Sequence, residues 1–132
     1  MSKYKAPNLL VSFAFALRGI AISIKSQRNF RADLLIGILV MILAFYFKLQ
    51  SIEIALLVLT IGFMLFAELI NTVVEFTVDA YFGNKYSILA KMAKDISAGA
   101  VLISATTAVI VGLILFLPKI TAYVKFLLFL FG

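Results

Sequence analysis

Three apolar stretches, Phe30 to Phe47, Ile52 to Phe82 and Ile96 to Leu117, occupy most of this chain. A helix needs about 20 apolar residues to cross a hydrocarbon core about 30 Å thick. Lipid offers a backbone no hydrogen bonds, so such segments are helical or closed into a barrel. Long runs without strict alternation select helices, and the chain reads as an all-α membrane protein. Composition agrees: 64% of the 132 residues are hydrophobic and only 14% are charged.

The spans are separable by their punctuation. The first runs over 30–48 and ends in the tight reversal Lys48-Leu49-Gln50-Ser51; the second covers 52–82 and ends at the turn signal Gly83-Asn84. At about 1.5 Å per residue the second helix is about 45 Å long, so one end projects beyond the hydrocarbon. The third covers 87–118, with Pro118 expected to stop it, and an apolar tail, 119–132, follows. Residues 7–29 interleave Arg18, Lys25 and Arg28 with Phe13, Phe15, Leu17, Ile20 and Ile24, a pattern that suits an amphipathic helix lying in the interface. The whole is a single membrane domain. At 14.6 kDa each protomer has little room for an internal pocket, which points to an oligomer.

Lys3, Lys5, Arg18, Lys25, Arg28, Arg31, Lys85, Lys91 and Lys94 fall on one side, and Lys48, Lys119 and Lys125 on the other. The excess places the N-terminus in the cytoplasm. The net charge of +6 flanks apolar runs, so anionic headgroups rather than nucleic acid are the natural partner. The chain has no cysteine, histidine or tryptophan, which excludes disulfides, thiolate or imidazole metal sites, Cys nucleophiles and His bases. Chemistry is left to carboxylates, amides, hydroxyls, Lys and Arg.

Such chemistry concentrates in the cytoplasmic half of the second span. Glu68, Asn71, Glu75 and Asp79 fall within an arc of about 80° on a helix turning about 100° per residue. Ionisable groups at membrane depth face a bundle interior or water, never lipid. Glu68 lies about 24 Å along the helix from Ile52, just inside the boundary, so it is the most desolvated of the acids and the one suited to serve as a general base. The short loop brings Lys91, Lys94 and Asp95 to the same level, with Lys94 near Glu75 and Asp79, while Gln27 and Arg28 end the interfacial helix there. Carboxylates for Mg²⁺, cations for phosphate oxygens and one buried acid near a hydroxyl are what phosphoryl transfer requires. No G-x-x-x-x-G-K-[ST], G-x-G-x-x-G or kinase catalytic loop is present. The same stripe could instead line a polar or ion-conducting path in a small non-enzymatic oligomer. Asp95 could also cap the third helix, and the small residues Ser97-Ala98-Gly99-Ala100 and Ser104-Ala105 suit close helix packing.

The segments ELINTVVEFTVD and LAKMAKDISAGAV resemble the prokaryotic diacylglycerol kinase and undecaprenol kinase family, with the patterns E-x-[LIM]-N-[ST]-x-[IV]-E-x-x-[VI]-D and A-K-D-x-[GAS]-[SA]-[GA]-A-V. The likeness extends from Phe13 to Pro118. It implies a homotrimer of three-span protomers, each with an N-terminal surface helix, in the bacterial inner membrane. Its active sites would be cytoplasmic and shared between neighbours. The reaction implied is transfer from ATP, with Mg²⁺, to the hydroxyl of undecaprenol or, second in order, diacylglycerol. Glu68 would be the base on the lipid hydroxyl, Asn71 a positioning residue beside it, and Glu75 would hold the metal. Lys94 would bind the phosphates, helped by Asp95, Asp79, Lys91 and Arg28. Where the family usually has a Glu, this chain has Gln27, which offers Mg²⁺ an uncharged carbonyl oxygen.

Overall fold

The computed structural model describes residues 8–83 and 85–131. Lys3, Lys5, the expected helix start at Pro7, the turn residue Asn84 and the last residue of the tail, Gly132, lie outside the described residues. Four helices follow one another: α1 (Leu9–Ser26), α2 (Arg28–Tyr46), α3 (Ser51–Phe82) and α4 (Ile88–Phe131). Each is long and apolar enough to cross a membrane. Most of their large apolar side chains are exposed, the surface of a chain solvated by lipid rather than water.

Each junction has a local cause. The Asn8 side chain accepts from Val11 N–H at 2.9 Å and caps α1. Extended backbone at Gln27 separates α1 from α2, so Arg28 begins the second helix instead of ending the first. Arg31 reaches back to donate to the carbonyls of Ile24 and Lys25 at 3.0 and 3.1 Å, satisfying the end of α1. At the end of α2, Lys48 takes the left-handed conformation (φ 51°). Leu49 N–H donates to the Ala44 carbonyl and Lys48 N–H to that of Phe45, a Schellman closure. Leu49 then packs into the core beside Ala44, the contact that such closures favour. A capping box between Gln50 and Glu53 starts α3, with Gln50 N–H donating to Glu53 Oε2 at 2.7 Å. Gly83, at φ 55°, ends it.

α3 is the hub. It packs most extensively on α4, then on α2, while α1 touches both α2 and α3. The α3–α4 pair is antiparallel and pinned along its length by Lys94 with Asp79 at one end, Ser97 with Asn71 further in, and Lys119 with Glu53 at the other end. Ala44, Leu49, Leu57 and Leu115 form the buried core near the Glu53 end. Gly37 lets α2 approach α3 closely, since a Cβ there would stand 2.9 Å from Ile61 Cγ2.

Pro118 does not end α4, contrary to the sequence expectation; the helix continues through it and takes in the tail as far as Phe131. Proline removes one backbone donor but is tolerated in lipid-exposed helices when other groups compensate. Here the Thr121 hydroxyl contacts the carbonyls of Leu117 and Pro118, both at 3.0 Å. Lys119, 3.3 Å from Glu53, and Tyr123, whose hydroxyl is 3.3 Å from that of Tyr46, hold the following turn against α2 and α3.

Gly37→Val should force Ile61 aside and cost about 1–3 kcal/mol, read as a lower thermal unfolding midpoint in detergent, with Gly37→Ala at the low end of that range.

Candidate functional site

The acidic stripe buries its deep end within the helix packing and exposes its shallow end. Glu68 is 2% exposed and Asn71 9%, whereas Glu75 is half-buried and Asp79 is exposed. The gradient follows from geometry: residues 3, 4 and 4 apart stay on one face while climbing the helix past the point where neighbours cover it. Thr72, next to Asn71, is also buried and returns its hydroxyl to the Glu68 carbonyl at 2.9 Å.

A continuous polar chain links the two helices. Asn71 Nδ2 donates to Glu75 Oε1 at 3.2 Å, and Ser97 Oγ lies 2.7 Å from Asn71 Oδ1 and 2.9 Å from the Lys94 carbonyl. Lys94 Nζ is 2.6 Å from Asp79 Oδ1. Of the two partners expected for Lys94, Asp79 takes it, because Glu75 points inward to Asn71. Glu68 stands apart. Among the described residues its buried Oε2 has no hydrogen-bond partner. A buried polar atom left without a partner costs about 1–3 kcal/mol, so a native site that carries one calls for an explanation.

The remaining candidates divide by location. Lys91 and Asp95 pair with each other at 3.4 Å, one turn apart on α4, with both side chains 64% exposed. Asp95 does not cap the helix; α4 begins at Ile88, and the Ser87 hydroxyl accepts from Ala90 N–H at 3.4 Å. Gln27 sits half-buried in the α1–α2 junction and Arg28 is exposed at the start of α2. Neither makes a side-chain hydrogen bond to the stripe among the described residues.

Two cavities lie along α3 and α4, neither of them lined by Glu68. One of about 300 Å³ opens at the α3–α4 turn, lined by Asp79, Phe82, Tyr86, Lys91, Lys94 and Asp95. The other, about 450 Å³, lies deeper between α2, α3 and α4, with Asp33 and Met64 among its lining residues and otherwise apolar walls including Ile61, Leu113 and Phe116. Its one buried hydroxyl, Thr60, is spent on the Leu56 carbonyl at 2.8 Å. Asp33 and Glu75 both lie within coulombic reach of Glu68.

The sequence points to Ser97 only as a packing residue and to no part in the site for Asp33, Tyr86 or Lys85, the last two of which line the smaller cavity. Ser97 lies three residues beyond Lys94, on the same helix face, and that spacing was the available signal. Asp33 is an acid at the mouth of an apolar run, a sign of similar kind.

Fold and site together define a helical membrane protein with a buried carboxylate on α3 and, at the α3–α4 turn, an open cavity bearing lysines. The model of the prokaryotic diacylglycerol kinase family matches residues 14–116, and the chain belongs to that family. It is 46% identical over 115 residues to a diacylglycerol kinase of Synechocystis sp., an alignment covering 87% of this chain and 66%, just under two thirds, of that protein. It is 42% identical over 109 residues to an undecaprenol kinase of Bacillus subtilis, covering 83% of this chain and 88% of that one. Both relatives carry the names of lipid kinases.

Ser97→Ala should strand the Asn71 carbonyl in a buried setting and cost about 1–3 kcal/mol in detergent unfolding. Ser104→Ala, whose hydroxyl returns only to the Val101 carbonyl, should cost less.

Proposed function

We propose that this protein is an ATP- and Mg²⁺-dependent lipid kinase that phosphorylates a membrane alcohol, undecaprenol ahead of diacylglycerol. The observation that carries the reading is Glu68. It is a buried carboxylate with one oxygen unpartnered among the described residues, and along α3 it falls between the residues that line an apolar cavity, Leu57 to Leu65, and those that line a cavity bearing lysines, Val78 to Gly83. A lipid hydroxyl arriving from the hydrocarbon side meets that oxygen, and its tail lies along the apolar cavity past Asp33.

The chemistry follows from the positions. Glu68 takes the hydroxyl proton as the alcohol oxygen attacks the γ-phosphorus. The bond from that phosphorus to the bridging oxygen breaks, and ADP leaves with the electron pair. Lys94, steadied by Asp79, meets the phosphate oxygens, and Lys91, Asp95 and Arg28 extend the nucleotide seat. Asn71, fixed by Ser97, positions the reacting groups.

Mg²⁺ commonly takes one or two protein carboxylates and completes its shell with phosphates and water. The donors here fit that habit: Glu75 offers its carboxylate with a single amide on Oε1, and the described residues contain no cluster of three acids that would form an all-protein cage. Glu75 would hold the ion, with Gln27 as an uncharged oxygen donor. When bound, it neutralises charge developing on the transferred phosphoryl group.

In this reading α2, α3 and α4 cross the bacterial inner membrane and α1 lies on its cytoplasmic surface, where Arg18, Lys25 and Arg28 meet headgroups. Three protomers assemble, and neighbours complete each site. A conducting oligomer lined by the same acids would need a polar path that continues deeper along α3, whereas the cavity there between α2, α3 and α4 has apolar walls apart from Asp33 and Thr60.

Purified protein with labelled ATP should phosphorylate undecaprenol faster than diacylglycerol, and transfer to neither would overturn the assignment. Glu68→Gln should lower kcat by about 10²-fold or more while Mg-ATP still raises the thermal midpoint; retained turnover would remove Glu68 from its role.

A further inference from the structure

We infer that the apolar cavity between α2, α3 and α4 selects its lipid by offering no hydrogen-bond donor: it takes an alcohol whose tail is pure hydrocarbon, a polyprenol, and rejects one whose tail begins with ester groups. The inference rests on the kinase reading above and gives its lipid preference a source in the cavity walls.

The cavity and Glu68 share one face of α3. Leu57, Thr60, Ile61, Met64 and Leu65 line the cavity, and Glu68, four residues after Met64 and three after Leu65, continues the same row. Asp33 of α2 also lines the cavity and lies within coulombic reach of Glu68, so the two acids mark one end of it. From Leu65 back to Leu57 the row runs about 12 Å toward the Glu53 end of the bundle. Its volume of about 450 Å³ falls within the range of about 300–1,000 Å³ usual for small-molecule sites. Small residues of α4, Ala105, Ala108 and Gly112, make the room.

The polar inventory of the walls is short. Asp33 and Thr60 are the only lining residues with oxygen or nitrogen in the side chain. A carboxylate accepts hydrogen bonds and gives none. Thr60 spends its one hydroxyl hydrogen on the Leu56 carbonyl at 2.8 Å. The backbone N–H groups of the lining residues, all inside helices, are committed to the preceding turn. Among the described residues the walls therefore supply acceptors and hydrocarbon, but no free donor.

Two alcohols meet such walls differently. A polyprenol has no polar atom besides its hydroxyl, so once that group is at Glu68 the isoprene units need only apolar contact. A diacylglycerol carries ester groups on the two carbons that follow the one bearing the hydroxyl. Their carbonyl oxygens would enter beside Asp33 with no donor to receive them, and a buried acceptor stranded in this way costs roughly tenfold in affinity.

Kinetics on three alcohols in the same detergent micelles test this: undecaprenol, a diacylglycerol, and the dialkylglycerol of equal chain length, in which ethers replace the esters and the carbonyls are gone. kcat/KM should fall from undecaprenol to the dialkylglycerol to the diacylglycerol, with about tenfold or more between first and last. Met64→Gln places an amide donor one turn from Glu68 and should narrow the ratio of undecaprenol to diacylglycerol about tenfold, whereas Met64→Leu should move it far less. A Cβ on Gly112 would meet nothing within 4 Å, so Gly112→Leu has open space to fill and should raise KM for undecaprenol severalfold while KM for Mg-ATP holds. Equal kcat/KM for ether and ester, a ratio that Met64→Leu narrows as far as Met64→Gln does, or an undecaprenol KM unmoved by Gly112→Leu would overturn the inference and leave the kinase reading standing. Transfer to none of the three alcohols would overturn both.

Discussion

A carboxylate on a membrane-spanning helix has to be walled off from hydrocarbon, and here Glu68 is buried within the helix packing while α4 covers its neighbour Asn71 through Ser97. An ionised acid facing lipid would cost several kcal/mol even with local water defects. The antiparallel pairing of α3 and α4 sets Ser97 against Asn71 of the stripe, and Ser97 and Ser104 are both buried. Small side chains allow the backbones to come close, and Ser97 also contributes a hydroxyl where Asn71 needs a partner. The same contact thus packs the helices and tethers Asn71. Lys94 follows as a consequence of register, because once Ser97 is opposite Asn71 the lysine one turn earlier meets Asp79.

The site is graded rather than uniform. From Asp79 to Glu68 the stripe passes from exposed through half-buried to buried, while the partners change from a lysine to an amide to none among the described residues. Strong coulombic pairing sits where water weakens it, and the group left unpaired sits where electrostatic interactions are strongest. In the proposed reaction such an arrangement would hold charge-binding groups at the surface for a charged co-substrate and keep one proton acceptor for a substrate arriving through lipid. Membership of the prokaryotic diacylglycerol kinase family fits this division.

Much of this was legible from residue order. The bounds of α3 follow from the polar turn before Ser51 and from Gly83, and the arc of Glu68, Asn71, Glu75 and Asp79 is a property of helical pitch alone. What escaped depends on neighbours. The nearness of Asp33 to Glu68 requires the α2–α3 register, which Gly37 sets by admitting Ile61. The division of labour between Lys91 and Lys94 depends on which face of α4 meets α3. Proline breaks helices in water, hence the stop expected at Pro118; here Thr121 and the Glu53–Lys119 and Tyr46–Tyr123 contacts hold the helix together.

The central claim is that Glu68 is a proton acceptor reached from the bilayer and shielded from water. Carbodiimides modify protonated carboxyl groups, and peptide mass spectrometry locates the adduct. A lipid-soluble carbodiimide should label Glu68, with protection by the lipid alcohol, while a water-soluble one should label Asp79 or Asp95 and spare Glu68. Labelling of Glu68 by the water-soluble reagent, with no reaction from the lipid side, would contradict the account.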